Sequence, residues 1–134
     1  MVRKTSEPTW EYNCIAWAFH EDDRWWWPDP AGISYWPKGV SREVTLDAFI
    51  AASETRGFEV CLNADNEPGF EKVVLYAKGG VPTHAARQLL NGNWTSKLGR
   101  EIDVQHNTPE ALVDEIAQLD YGRPITYLRR RRPE

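Results

Sequence analysis

The spacing of apolar positions changes character at Gly57: helical on its N-terminal side, alternating or continuous beyond it. Ile15, Ala18 and Phe19 fall on one helical face behind Asn13, a good N-cap residue. This predicts a short helix over Cys14 to Asp22, with Cys14 in its first turn. Leu46, Phe49 and Ile50 form a second stripe that predicts a core helix from about Thr45 to Arg56, with Gly57 as its stop. Between the two, Trp25 to Gly39 carries Pro28, Pro30 and Pro37 with no usable period, so a long aromatic loop is expected.

Past Gly57, Phe58, Val60 and Leu62 alternate as one strand, and Asn63 to Gly69 forms a polar turn. Lys72 to Ala77 has the continuous apolar character of a central strand, and Gly79-Gly80 turns the chain back into Pro82 to Leu90. Asn91-Gly92 leads into a strand from Trp94 to Leu98, followed by another from Ile102 to Gln105. Thr108-Pro109 opens a helix to about Leu119, and Ile125 to Leu128 closes the sheet. With neither internal repeat nor linker, this order predicts one α+β domain over residues 1–134, its Cys-bearing N-terminal helix packed on an antiparallel sheet.

Composition adds three constraints. A chain of 134 residues, 41% of them apolar, has room for a single core. Its net charge of −4 is uneven: apart from the short basic tail at 129–134, which carries Arg129 to Arg132 and +3, 12 basic residues face 19 acidic ones, a body of −7. An acidic body argues against a nucleic-acid face and leaves only the tail for that role. No window approaches the ~20 apolar residues of a membrane span. Met1 to Asn13 lacks a secretory pattern, and Cys14 and Cys61 have no CxxC spacing, so a cytoplasmic protein with free thiols is expected. The third constraint is tryptophan: Trp10, Trp17, Trp25, Trp26, Trp27 and Trp36, six of the seven, lie in the first 36 residues.

A thiol at a helix start is where unpaired amide N–H groups and the helix dipole favour the thiolate, which makes Cys14 the candidate nucleophile. The competing reading packs it with Ile15, Trp17 and Ala18 as core. Cys61 alternates with Val60 and Leu62, with nothing nearby to activate it. Among the histidines, His20 sits beside Glu21, Asp22 and Asp23 and has the character of a surface residue. His84 is the best candidate base, because small Ala85 and Ala86 after it leave room for a packed helix. Asp103, Gln105 and His106 come from a later strand and are candidates to orient it, while a merely hydrogen-bonded core histidine is the alternative. No two cysteines or histidines have metal-ligand spacing, so neither metal nor cofactor is expected.

The block Lys72-Val73-Val74-Leu75-Tyr76-Ala77-Lys78-Gly79-Gly80-Val81-Pro82-Thr83-His84-Ala85, with a cysteine at a helix start, resembles papain-like cysteine peptidases. The likeness is to the NlpC-type enzymes of bacterial cell walls, which follow the Cys helix with a His-Val-Gly-Ile-Tyr hairpin, a Gly-rich turn and a polar residue in a His-Ala step. Nearly the whole chain is also similar to a bacterial domain family that carries no assigned activity. The shared blocks are Asn13-Cys14-Ile15-Ala16-Trp17-Ala18, Trp25-Trp26-Trp27-Pro28, Tyr35-Trp36-Pro37, Gly69-Phe70-Glu71-Lys72, and His84-Ala85-Ala86-Arg87-Gln88-Leu89 through Trp94-Thr95-Ser96-Lys97-Leu98-Gly99. The enzyme resemblance implies a papain-like fold and thiol-dependent cleavage or transfer at an amide or ester bond. It departs at one point: Lys72 holds the place of the enzymes' catalytic histidine, and His84 that of their third residue. Either His84 is the base with Asp103 or Gln105 behind it, or Lys72 lies beside Cys14 and the site binds without cleaving. Strand register decides. A two-residue loop at Gly79-Gly80 puts His84 on the face of Val73 and Leu75, and a bulged one puts it with Lys72 and Tyr76.

Trp25, Trp26, Trp27 and Trp36, with Asn13 and Lys72, are the candidate binding residues. The rings either line a groove for a peptide, sugar or partner chain or fold over the sheet as a lid. The leading expectation is a cysteine hydrolase or transferase with a Cys14–His84 dyad and the Cys14 N–H as oxyanion donor. Its rivals are a non-catalytic protein-interaction module of the same fold, using the Trp-rich loop, and a nucleic-acid accessory acting through the arginine tail.

Overall fold

The computed structural model describes residues 2–9, 11–98, 102–116 and 118–132; Trp10, Gly99 and the tail residues Pro133 and Glu134 lie outside them. Among the described residues the chain runs β1 (Val2–Lys4), α1 (Cys14–Ala18), α2 (Leu46–Glu54), β2 (Glu59–Cys61), β3 (Phe70–Lys78), β4 (Val81–Gln88), β5 (Trp94–Lys97), β6 (Asp103–His106), α3 (Pro109–Glu115) and β7 (Arg123–Arg131). The strands form one antiparallel sheet in the order β1-β6-β5-β4-β3-β7-β2, which makes this a single-domain α+β fold.

Each helix start is built by the residue type that suits it. Asn13, Thr45 and Thr108 take extended backbone and accept a hydrogen bond from the N–H three residues on, and Pro109 fills the first turn of α3. The first helix is shorter than its periodicity implies. It stops at Ala18, and His20 takes a left-handed φ of 64° that turns the chain away. The second matches its expected span closely. The apolar run of β3 is buried from Glu71 to Ala77 because both sheet faces are covered. On one face Val73, Leu75, Ala85 and Leu128 pack under α1, α2 and the aromatic loop; on the other, Val74, Tyr76, Ala86, Trp94 and Val104 pack with Leu112 of α3.

Three features depart from expectation. The three residues of β1 carry no alternation, and their place comes from pairing with β6 at Val2↔His106 to Lys4↔Val104. The Phe58, Val60, Leu62 alternation suggests one buried face, yet Phe58 alone is buried, because β2 is an edge strand that pairs only with β7. The basic tail begins inside the sheet: Arg129, Arg130 and Arg131 belong to β7, opposite β3. Arg129 pairs with Glu59 and Glu67, Arg130 with Glu71, and Arg131 stacks on Phe70. Arg129 and Arg130 are thus ion-paired within the fold rather than part of a free tail, while Arg131 is exposed.

One glycine is required by a close approach. Gly122 has φ +77°, and a Cβ there would lie 2.0 Å from the carbonyl oxygen of Ala77, at the irregular end of β3. This contact pins the segment that carries Tyr121. Gly122→Ala is expected to cost about 2–4 kcal/mol, because backbone rather than a flexible side chain must move. Urea unfolding reads it directly, and an unchanged midpoint would contradict the contact.

Candidate active site

The aromatic loop divides its rings between the core and a cleft. Trp26 and Trp36 are core: Trp26 meets Phe19 edge-on at 5.1 Å, and Trp36 packs on Phe49 at 5.2 Å. Trp25 and Trp27 instead wall a cleft of about 330 Å³, joined by Ser34 from the loop, Thr83 from β4 and Tyr121 from the segment after α3. Asn13 and Cys14 also line this cleft, at the start of α1. Asn13 fixes the geometry: its Oδ1 accepts from the N–H groups of Ala16 (3.2 Å) and Trp26 (3.0 Å), and its Nδ2 donates to the Trp26 carbonyl (2.7 Å). One side chain thus caps the helix and ties the loop to it.

Cys14 is 7% exposed. Burial pushes its thiol up to about 11, against the N–H groups of Ala85, Ile15 and Cys14 itself and the charge of Lys97, which favour the anion. The stabilised thiolate expected at this helix start is therefore absent at rest. Iodoacetamide at about pH 7.5 is expected to alkylate half-buried Cys61 at least tenfold faster than Cys14, with the difference vanishing in denaturant. Faster labelling of Cys14 would refute a protonated resting thiol.

His84 is fully buried on β4. The pairing of β3 with β4 is irregular between Tyr76 and Ala77, which sets His84 opposite Tyr76, the bulged outcome. Its ring is stacked on Tyr121 at 4.2 Å and 5°. By alternation it points away from the face where Ala85 meets α1, but the sheet is open here. The ladder between β4 and β5 comprises only Arg87↔Thr95 and Gln88↔Trp94, and α1 lies against both strands. A side-chain bond crosses the split instead, His84 Nε2 to Ser96 Oγ at 3.0 Å.

That bond begins a chain. Ser96 Oγ is also 2.8 Å from His106 Nε2, and His106 Nδ1 is 2.8 Å from the Thr108 carbonyl. A carbonyl only accepts, so His106 carries its proton on Nδ1 and leaves Nε2 as an acceptor. Burial lowers the pKa of both histidines, so both are neutral at neutral pH. Ser96 must then donate to His106, and its oxygen accepts from His84 Nε2–H. His84 is left with a bare Nδ1, which has no hydrogen-bond partner among the described residues.

The other expected site residues lie elsewhere. Asp103 accepts from the Tyr12 hydroxyl at 2.9 Å, and Gln105 accepts from Arg3 at 2.5 Å; neither orients His84, because both side chains point off β6 on the face opposite His106. Lys72 does not face Cys14. Its Nζ holds the carbonyl and side chain of Asn63 at 3.0 and 3.1 Å and pairs with Glu67. His20 is exposed, as expected, and bonds buried Glu71 at 2.6 Å. No hydrogen bond joins Cys14 to His84 in this resting state. Sequence reasoning missed Ser96 and Tyr121. A serine two residues from Trp94 carries no signal of its own, and Tyr121 is placed only by Gly122.

No helix among the described residues is long and apolar enough to cross a membrane, and no group of three or more His, Cys, Asp or Glu among them is arranged to hold a metal ion. Comparison with curated proteins and with solved structures returned no match. A family model spans residues 3–129, almost the whole chain, and the protein belongs to that family, a domain of unknown function, DUF7689.

Proposed function

We propose that the protein is a papain-like cysteine hydrolase or acyltransferase acting on an amide or ester carbonyl, with Cys14 as nucleophile and His84 as general base. The observation that carries this reading is the His84–Ser96–His106–Thr108 chain, which leaves a buried imidazole nitrogen without proton or partner on a ring stacked against Tyr121, a residue that lines the cleft together with Cys14. A structural core histidine has both nitrogens satisfied; this one has the tautomer a base needs.

The charge states fit a general-base route rather than a preformed thiolate–imidazolium pair. As the Cys14 thiol comes within hydrogen-bond reach of Nδ1, its sulfur attacks the carbonyl carbon and its proton passes to Nδ1. The leaving amine or alcohol takes that proton as its bond breaks, giving a Cys14 thioester. Water then attacks the thioester and returns a proton through Nδ1, releasing the acid and the thiol. Ser96 acts as a positioning residue that holds the ring and its tautomer, and the Cys14 N–H at the start of α1 is the oxyanion donor.

The test is intact-mass spectrometry of a Cys61→Ser chain incubated with p-nitrophenyl acetate. Acetylation confined to Cys14, lost in Cys14→Ala and cleared by turnover, is the expected result. Absence of acylation, or acylation elsewhere with unchanged nitrophenol release in Cys14→Ala, would overturn the reading.

A further inference from the structure

Two of the polar side chains that line the cleft, Asn13 and Thr83, are already committed to the fold. Both ends of the Asn13 amide are bonded to the Trp26 and Ala16 backbone, and Thr83 Oγ1 donates to the Tyr121 carbonyl at 2.5 Å. The remaining walls are the rings of Trp25, Trp27 and Tyr121 with the small side chains of Cys14 and Ser34, and among the described residues no charged side chain lines the cleft. A charged ligand group entering here would lose its water and find no counter-ion, whereas an apolar one loses nothing it needs.

From this we infer the substrate class, an inference that rests on the acyl-transfer reading above: the cleft takes an uncharged, apolar acyl group, aromatic or compact aliphatic, and excludes acyl groups bearing a carboxylate or an ammonium. A cleft of about 330 Å³ lies at the small end of ligand sites and suits one such group rather than an extended chain. Trp27 and Tyr121 are the specificity residues. Trp27 is held by edge contact with Phe49 at 5.4 Å, and Tyr121 by its stack on His84, so the walls are fixed before a ligand arrives.

Binding is measured apart from catalysis, by calorimetry and ligand-observed NMR on the unmodified chain. The probes are phenylacetamide and its 4-carboxy and 4-aminomethyl derivatives, which share a shape and differ in charge. The neutral amide is expected to bind at least tenfold more tightly than either ion, and Trp27→Ser or Tyr121→Ala to weaken it about tenfold. Equal or tighter binding of an ion, no detectable binding of the neutral amide, or unchanged affinity in both folded variants would overturn the inference. A preserved preference without any Cys14 acylation overturns only the hydrolase reading, and acylation without preference overturns only this one.

Discussion

Replacing Glu71 with alanine is expected to lower the stability of the fold by about 3–5 kcal/mol, the cost of removing one partner from a buried ion cluster. Glu71 is 1% exposed near the start of β3 and accepts from Arg130 Nε at 2.5 Å and from His20 Nε2 at 2.6 Å, with Arg132 at 3.8 Å. Arg87 in turn reaches His20 Nδ1 at 2.8 Å. One carboxylate therefore joins the end of β7 to the turn that ends α1, and without it Arg130 and Arg132 face each other with no anion between them.

Acid sharpens the test. Burial opposes the charge on Glu71, but the hydrogen bonds from His20 and Arg130 outweigh it and hold the group down at about 2. A depressed carboxylate stabilises the fold fully above its unfolded value near 4.5 and loses that contribution as pH falls through about 2. The difference corresponds to about 3 kcal/mol. Urea midpoints of the unmodified chain should therefore fall between about pH 5 and pH 2, and Glu71→Gln should flatten that fall while being less stable at pH 7. A parallel pH dependence in both chains would show that the cluster does not carry the effect.

What was legible in the sequence is what local chemistry dictates. Asn13 before Cys14, Thr45 before Leu46 and Thr108 before Pro109 announce their helices because a side-chain oxygen must meet an N–H three residues on. The continuous apolar run of β3 announces a strand covered on both faces. The arginines of β7 were illegible because their partners, Glu59, Glu67 and Glu71, come from elsewhere in the chain; locally they have the look of a solvated tail. The partner of His84 was illegible for a related reason. Asp103 and Gln105 are the residues a triad template selects, but strand alternation turns them away and leaves Ser96 and His106 on the right side, with serine as the unforeseen link.

Removing His84 by His84→Ala is expected to lower the rate of Cys14 acylation at least 10³-fold, the effect of deleting the proposed general base from a thiol that is protonated at rest. The exponent depends on the resting state: where burial holds the Cys14 thiol up at about 11, a thiolate is too scarce at pH 7 to act unaided. Burial also holds His84 well below the usual imidazole range, so the neutral base persists into acid. The sign follows directly: kcat/KM should stay flat as pH falls through 6.5 and decline only below it, whereas an exposed histidine would lose half its activity near that value. Ser96→Ala separates positioning from packing. It frees Nε2 and lets the proton move to Nδ1, so acylation should fall about 10- to 100-fold while nitrogen chemical shifts report the changed tautomer. Unchanged shifts with a lowered rate would assign Ser96 a packing role, and an unchanged rate in His84→Ala would remove the imidazole from the chemistry altogether.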